Sequence, residues 1–175
     1  MKYLKKYKAY FENDEATLDR KDSDEPDVEL AKDKLEELKL HLKEYNSKKS
    51  NVENIYSDST KSSEDIESEI DSLLGSDNDN YFLKQLLSIE RKKWQITKLE
   101  DDIIKDDMKI DEYNNTESED VDSIKQKIAE IEQRKNEKVD KINELESDIG
   151  DLEEKHKETI DKKKEELEEW ILKIQ

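Results

Sequence analysis

The chain has 175 residues, of which 47% are charged and only 31% are hydrophobic, and its formal net charge at pH 7 is -18. This apolar fraction excludes a thick, multilayer core, and the negative charge disfavours broad contact with a nucleic-acid backbone. Two glycines, one proline and no cysteine exclude a turn-rich sheet protein and any disulfide or thiolate metal site, which leaves a helical protein with a narrow seam or a disordered chain.

The first twenty residues combine basic and aromatic side chains. Their apolar spacing predicts a short amphipathic helix over residues 1–20. One interpretation is that the aromatic side chains pack on the rest of the protein while the lysines face its acidic surface. The alternative is that residues 1–11 contact an anionic membrane surface or stack on single-stranded nucleic acid.

A heptad pattern begins at Val28 and continues to Leu73 with alternating steps of three and four residues. This period predicts one coiled-coil helix over about 26–74, with Pro26 near its first turn. Polar residues at positions 49, 59 and 63 are interpreted as tolerated defects of the seam; the alternative is that they fix the register and orientation of the helices. The predicted seam consists of Val28, Ala31, Leu35, Leu38, Leu42, Tyr45, Val52, Tyr56, Ile66, Ile70 and Leu73.

Two further helices are predicted over about 81–113 and about 119–174. The apolar stripe of the first includes Phe82, Leu86, Ile89, Ile103 and Ile110, and that of the second includes Val139. Gly75 and the Asp and Asn residues up to Asn80 supply a helix end followed by a helix start. In the last helix the apolar stripe includes an eleven-residue step from Ile131 to Ile142, and His156 occupies a seam position as a packing residue.

The predicted fold is therefore all-α. It is an elongated antiparallel coiled-coil bundle of three long helices, residues 26–175, plus the short N-terminal amphipathic helix over residues 1–20. At 1.5 Å per residue the middle helix is shorter than its neighbours, so the last helix is expected to extend beyond it.

The last nine residues carry an apolar cluster that continues the stripe of the third helix. A helix end of this kind, extending beyond its neighbours, is suited to bind a partner. The basic and aromatic N-terminus is the second candidate. The predicted partner-binding residues are Leu167, Trp170, Ile171, Leu172 and Ile174 at the carboxyl end and Tyr3, Leu4, Tyr7 and Phe11 at the amino end.

Motifs of catalysis and cofactor binding are missing from the sequence. It contains no glycine-rich phosphate loop, no zinc-protease motif and no serine-hydrolase motif. An EF-hand that starts at Asp77 would need a glycine at Phe82 and a glutamate at Ser88. We expect a protein without enzymatic activity, cofactor or metal site.

We predict a coiled-coil scaffold, adaptor or helical chaperone that binds a protein partner or a second copy of itself through its seams. The sequence shows neither a signal peptide nor an apolar stretch long enough for a membrane span, so a cytoplasmic location is expected. The alternatives are a membrane or nucleic-acid targeting module that uses residues 1–11, and an acidic mimic of nucleic acid that occupies a basic partner.

Overall fold

The computed structural model describes residues 28–75, 79–116 and 120–174. Nearly all of these residues are helical, without a strand among them, which confirms the all-α class. The predicted helix over residues 1–20 lies outside this part of the chain. The four helices are α1 (Val28–Tyr56), α2 (Ser63–Leu74), α3 (Tyr81–Asn114) and α4 (Val121–Ile174).

The chain divides into two compact units, Met1–Lys34 and Leu35–Gln175. The described residues of the first unit, 28–34, form the beginning of α1. The helix contacts described below all lie within the second unit.

A turn at residues 57–62 divides the helix that the heptad pattern predicts as continuous over about 26–74, so that prediction is wrong at this point. The Asp58 carboxylate accepts two hydrogen bonds inside the turn, and Ser62 starts α2 in a capping box with Asp65. Short polar side chains of this kind satisfy the backbone N–H groups of a turn and therefore compete with a continuous helix.

The core of the second unit lies where α1, α2 and α3 meet. Its members from α1 and α2 are seam residues that the heptad pattern predicts, because the same phase resumes after the turn. Trp94 of α3 and Ile160 of α4 pack against this core cluster. The buried members are Leu42, Tyr45, Val52, Tyr56, Ile66, Ile70, Phe82, Leu83 and Leu86.

Helices α1 and α3 run in the same direction. The rings of Tyr45 and Phe82 have centroids 6.1 Å apart near the beginning of α3. Further along both helices, Lys98 of α3 lies near the turn after α1. Hydrogen bonds from Thr60 are the main cause that lowers the pKa of Asp58 in that turn, and the charge of Lys98 adds to this shift. The expected antiparallel arrangement of successive long helices does not hold here, because α2 carries the chain back before α3 begins.

Helices α3 and α4 run in opposite directions along their contact. Residues taken from the beginning to the end of α3 meet progressively earlier residues of α4. The connecting segment between Asn114 and Val121 is short, as a helical hairpin requires. The pairs that define this register are Gln85 with His156, Lys92 with Asp148, Asp106 with Lys138, and Asp107 with Lys135.

Two polar residues occupy seam positions within the eleven-residue step between Ile131 and Ile142 of α4. Lys135 and Lys138 continue the three-and-four spacing after the buried Ile131, and both are half-buried against α3. Val139, which the apolar stripe includes, is 40% exposed. The seam therefore keeps its seven-residue period here and contains lysines at two of its positions.

Candidate partner-binding surfaces

A buried polar network connects α1, α3 and α4 around His156. The Nδ1 atom of His156 lies 2.7 Å from Gln85 Oε1, and its Nε2 atom lies 3.1 Å from the Tyr45 hydroxyl. Because the Gln85 amide nitrogen donates to Tyr81, its oxygen is the acceptor, so Nδ1 of His156 carries the proton and Nε2 accepts from Tyr45. Burial, with a smaller effect of Lys49, lowers the pKa of His156 and favours this neutral form. Both ring nitrogens are thus hydrogen-bonded inside the protein, and the ring is buried between the helices at the predicted seam position.

Asn80 fixes the beginning of α3 against α1. Its side-chain oxygen accepts hydrogen bonds from the backbone N–H groups of Phe82 and Leu83, which is the role of a helix N-cap. Its amide nitrogen donates to the backbone oxygen of His41 at 2.8 Å and to the Glu44 carboxylate at 3.1 Å. One buried side chain therefore both starts a helix and links it to its neighbour.

An ionic layer lies inside the contact between α3 and α4. Lys138 donates to the Asp106 carboxylate at 2.5 Å, and Lys135 pairs with the adjacent Asp107. Asp106 is 4% exposed, and the hydrogen bond from Lys138 lowers the pKa of this carboxyl although burial opposes the shift. Asp106 and Lys138 satisfy each other inside the seam, whereas Asp107 and Lys135 form their pair at its edge, where both side chains are partly exposed.

The predicted C-terminal site lies in the last turns of α4. Leu167, Trp170 and Ile171 are half-buried, whereas Leu172 is 73% exposed. Ile174 is the last residue of the helix, and its side chain lies outside the described part. Among the described side chains of this cluster, Leu172 is thus the open apolar one. The other predicted site residues, Tyr3, Leu4, Tyr7 and Phe11, also lie outside the described residues.

One face of α3 is buried or half-buried in the first half of the helix and mostly exposed in the second half. Residues spaced by alternating three and four lie on a single face, and such a series runs from Leu83 through Leu87, Glu90, Trp94 and Thr97 to Asp101, Ile104, Met108 and Asp111. Leu83 is completely buried and Trp94 is half-buried against the core cluster. Ile104 and Met108 are 58% and 60% exposed. We name the part of this face that consists of the half-buried Asp101 and the exposed Ile104, Met108 and Asp111 the α3 stripe.

The α3 stripe is open because the helices that cover the first half of α3 end. Helix α1 ends at Tyr56, and the turn that follows it lies near Lys98. Beyond that level, the interhelical pairs of α3 in the described ranges are with α4, through Asp106 and Asp107. Among the described helices, none lies against the face opposite those pairs at Ile104 and Met108, which are exposed.

Sequence reasoning misses Ile104 and Met108 because it follows one stripe in each helix. The stripe that it follows in α3 contains Ile103 and Ile110, which are half-buried. The available signal is the second three-and-four series that begins at Leu83, offset from the first by one residue. Two such series in one helix indicate that it has neighbours on two sides.

Four carboxylates lie beside the α3 stripe, namely Glu100 and Asp101 at one end and Asp111 and Glu112 at the other. Within the described residues, none of the four lies within 4 Å of a cationic group. By contrast, Asp102, Asp106 and Asp107 of the same helix are each paired with a lysine. Both ends of the stripe therefore carry carboxylates that form no ion pair in the described ranges, although Lys105 lies nearby, its pKa raised by the hydrogen bond to Asp102 and further by the charge of Asp101.

The described ranges contain no group of three or more His, Asp or Glu side chains placed to hold a metal ion. None of the described helices combines the length and apolar character that a membrane span needs. Comparisons with protein-family models, with curated proteins and with solved structures find no match to this chain. The function therefore has to be inferred from the surfaces of the helices.

Proposed function

We propose that this chain is a non-enzymatic interaction scaffold, adaptor or helical chaperone, built as a coiled-coil helical bundle that binds a protein partner through uncovered helix faces. The observation that carries the proposal is the contrast along one face of α3, where Leu83 is fully buried and Ile104 is 58% exposed. Ile104 does not take part in the contact between α3 and α4, because its side chain is mostly in solvent. The packing of these two helices therefore does not require an isoleucine at this position.

The pairing of the exposed residues also supports a binding role. Isolated apolar side chains are common on protein surfaces and have no special meaning. Ile104 and Met108, however, lie one helical turn apart on one face, which is the arrangement that helix-in-groove recognition uses. In a chain with so few apolar residues, an exposed adjacent pair supports a role in recognition.

The C-terminal cluster is the second surface of the proposal. Leu172 is available to a partner, while Leu167, Trp170 and Ile171 are half-buried. Self-association through such a seam is a second outcome of the same proposal, since a coiled-coil face accepts a copy of itself as readily as another helix.

Selection from a displayed library of random helical peptides tests the proposed function. The bait is the intact chain, and the control bait carries Ile104→Gln, Met108→Gln and Leu172→Gln. All three positions are exposed, so the control bait should keep the fold, which circular dichroism verifies. We expect enriched peptides to have apolar residues at three-and-four spacing and to bind the control bait weakly. Peptides without this spacing, or equal binding to both baits, would contradict the proposal.

The alternative targeting function rests on the alternation of lysines and tyrosines in residues 1–11. Its test is binding of the intact chain to anionic vesicles and to a single-stranded oligonucleotide at two salt concentrations. Targeting requires salt-sensitive binding that is lost when residues 1–11 are deleted. Binding that survives the deletion, or no binding by the intact chain, excludes this alternative.

A further inference from the structure

We propose that the α3 stripe binds a basic amphipathic helix, with Ile104 and Met108 contacting its apolar face and the carboxylates at both ends contacting its Lys or Arg residues. This inference rests on the proposed interaction function and names the chemical class of the partner.

The apolar part of the inference follows from continuity along α3. From Leu83 to Trp94 the same face packs against α1 and α2 in the core cluster. Ile104 and Met108 continue that face with unchanged spacing, although the covering helices have ended. A helix supplied by a partner would extend an existing mode of packing rather than require a new one.

The charged part of the inference follows from the ends of the stripe. Asp101 and Asp111 lie ten residues apart, which is about 15 Å along a helix. Glu100 and Glu112 lie beside them, and within the described part of the chain no cation lies within ion-pair distance of these four groups. A partner helix with basic residues about ten positions apart and apolar residues between them would match both ends.

The α3 stripes of two copies of this chain do not fit each other. In an antiparallel pairing about the midpoint between Ile104 and Met108, Asp101 would face Asp111 of the other copy. A parallel pairing would bring each carboxylate beside its own counterpart. Both arrangements place like charges together, which disfavours the complex. The charge pattern therefore favours a basic helix over a second α3 stripe at this surface.

A designed peptide provides the direct test. The probe is a capped, fluorescein-labelled helix of 22 residues with leucines at three-and-four spacing in its centre and lysines at both ends of that face. One control peptide has glutamates in place of the lysines, and another has serines in place of the leucines. Fluorescence anisotropy with the full chain measures the dissociation constant at low and at physiological salt.

We expect the lysine peptide to bind and both control peptides to bind at least about tenfold more weakly, because each lacks one half of the recognition. Ile104→Gln with Met108→Gln should weaken binding about tenfold or more, since both apolar contacts are lost. Asp101→Asn with Asp111→Asn should weaken it about threefold at low salt and less at physiological salt. Equal thermal melting curves of the variants establish that these effects do not come from unfolding.

Leu172→Gln is the matched control variant, because it removes a similarly exposed apolar side chain at another surface. Binding should stay within about twofold of that of the intact chain. If Leu172→Gln abolishes binding and the Ile104 and Met108 variant does not, this inference is overturned while the proposed function stands. Absence of binding by the lysine peptide also overturns the inference, and the library selection then decides the proposed function separately.

Discussion

The Asp106 carboxylate and the Lys138 ammonium group lie 2.5 Å apart inside the seam between α3 and α4. Asp107 and Lys135 form a second pair beside them, so charged groups replace apolar ones in this part of the seam. A buried ion pair adds little net stability, because desolvation offsets most of the attraction. It does restrict the two helices to the register in which the partners meet, which we infer to be its role here.

Replacing Asp106 alone with leucine should lower the free energy of unfolding by about 2 kcal/mol, because Lys138 then loses its partner in a half-buried position. Replacing both residues with leucine should restore stability to within about 1 kcal/mol of the intact chain. Urea titrations followed by circular dichroism measure both effects. Asp102→Asn, in an exposed pair with Lys105, is the control and should change stability by less than about 0.5 kcal/mol. A double variant as unstable as the single one would contradict this account.

Acid should destabilise the protein through His156. Burial, together with the charge of Lys49, lowers the pKa of this residue in the folded state. Below about pH 6.5 the unfolded chain takes up a proton that the folded chain resists, so stability is complete above that pH and falls as pH decreases toward the folded pKa. The slope should not exceed about 1.4 kcal/mol per pH unit.

Urea titrations between pH 7.5 and pH 5.5 measure this dependence. His156→Gln keeps a polar side chain in the network and should flatten the slope over this range. His41→Gln removes the other histidine and should leave the slope unchanged. An unaltered slope in His156→Gln would assign the dependence to other groups.

Two substitutions on the same face of α3 should differ strongly in their effect. Leu83→Ala should lower the free energy of unfolding by about 3 kcal/mol, because it leaves a cavity in the core cluster. Ile104→Ala should change it by less than about 0.5 kcal/mol, because the side chain is mostly in solvent and alanine favours the helix. Thermal and urea unfolding of the two variants provide the measurement. Similar losses in both would mean that Ile104 is covered.

Removing the last nine residues tests whether the C-terminal cluster stabilises its own chain or joins two copies. A chain that ends at Glu166 loses the half-buried Leu167, Trp170 and Ile171, so stability should fall by about 2 kcal/mol. Leu172→Gln should be nearly neutral, as expected for an exposed side chain. Light scattering should give the intact and shortened chains the same oligomeric state. A higher state for the intact chain alone would show that the cluster joins two copies.

Much of the helical framework is predictable from local patterns. The predicted ends of α3 and α4 agree with the structure to within two residues. Seam residues such as Leu42, Tyr45 and Val52 are buried as the heptads predict. These features can be predicted because the apolar period, the capping residues and the scarcity of glycine and proline are all visible in short stretches of sequence.

The candidate surfaces are less predictable. The C-terminal cluster is visible as an apolar run, whereas the openness of Ile104 and Met108 depends on where α1 ends beside α3. Lys135 and Lys138 interrupt an apolar stripe in the sequence, and only their pairing with aspartates across the seam identifies them as seam residues. In each case the missing information concerns a contact distant in sequence.

The amino-acid sequence by itself determined that this protein is helical, that residues such as Leu42, Tyr45 and Val52 line a seam, and where α3 and α4 begin and end. Only the tertiary structure decided that the chain turns at residues 57–62, that α1 and α3 run in the same direction, and that one face of α3 emerges uncovered at Ile104. The physical reason is that a heptad pattern specifies an apolar face within one helix. Which neighbour covers that face, and for what length, depends on the lengths and directions of the other helices.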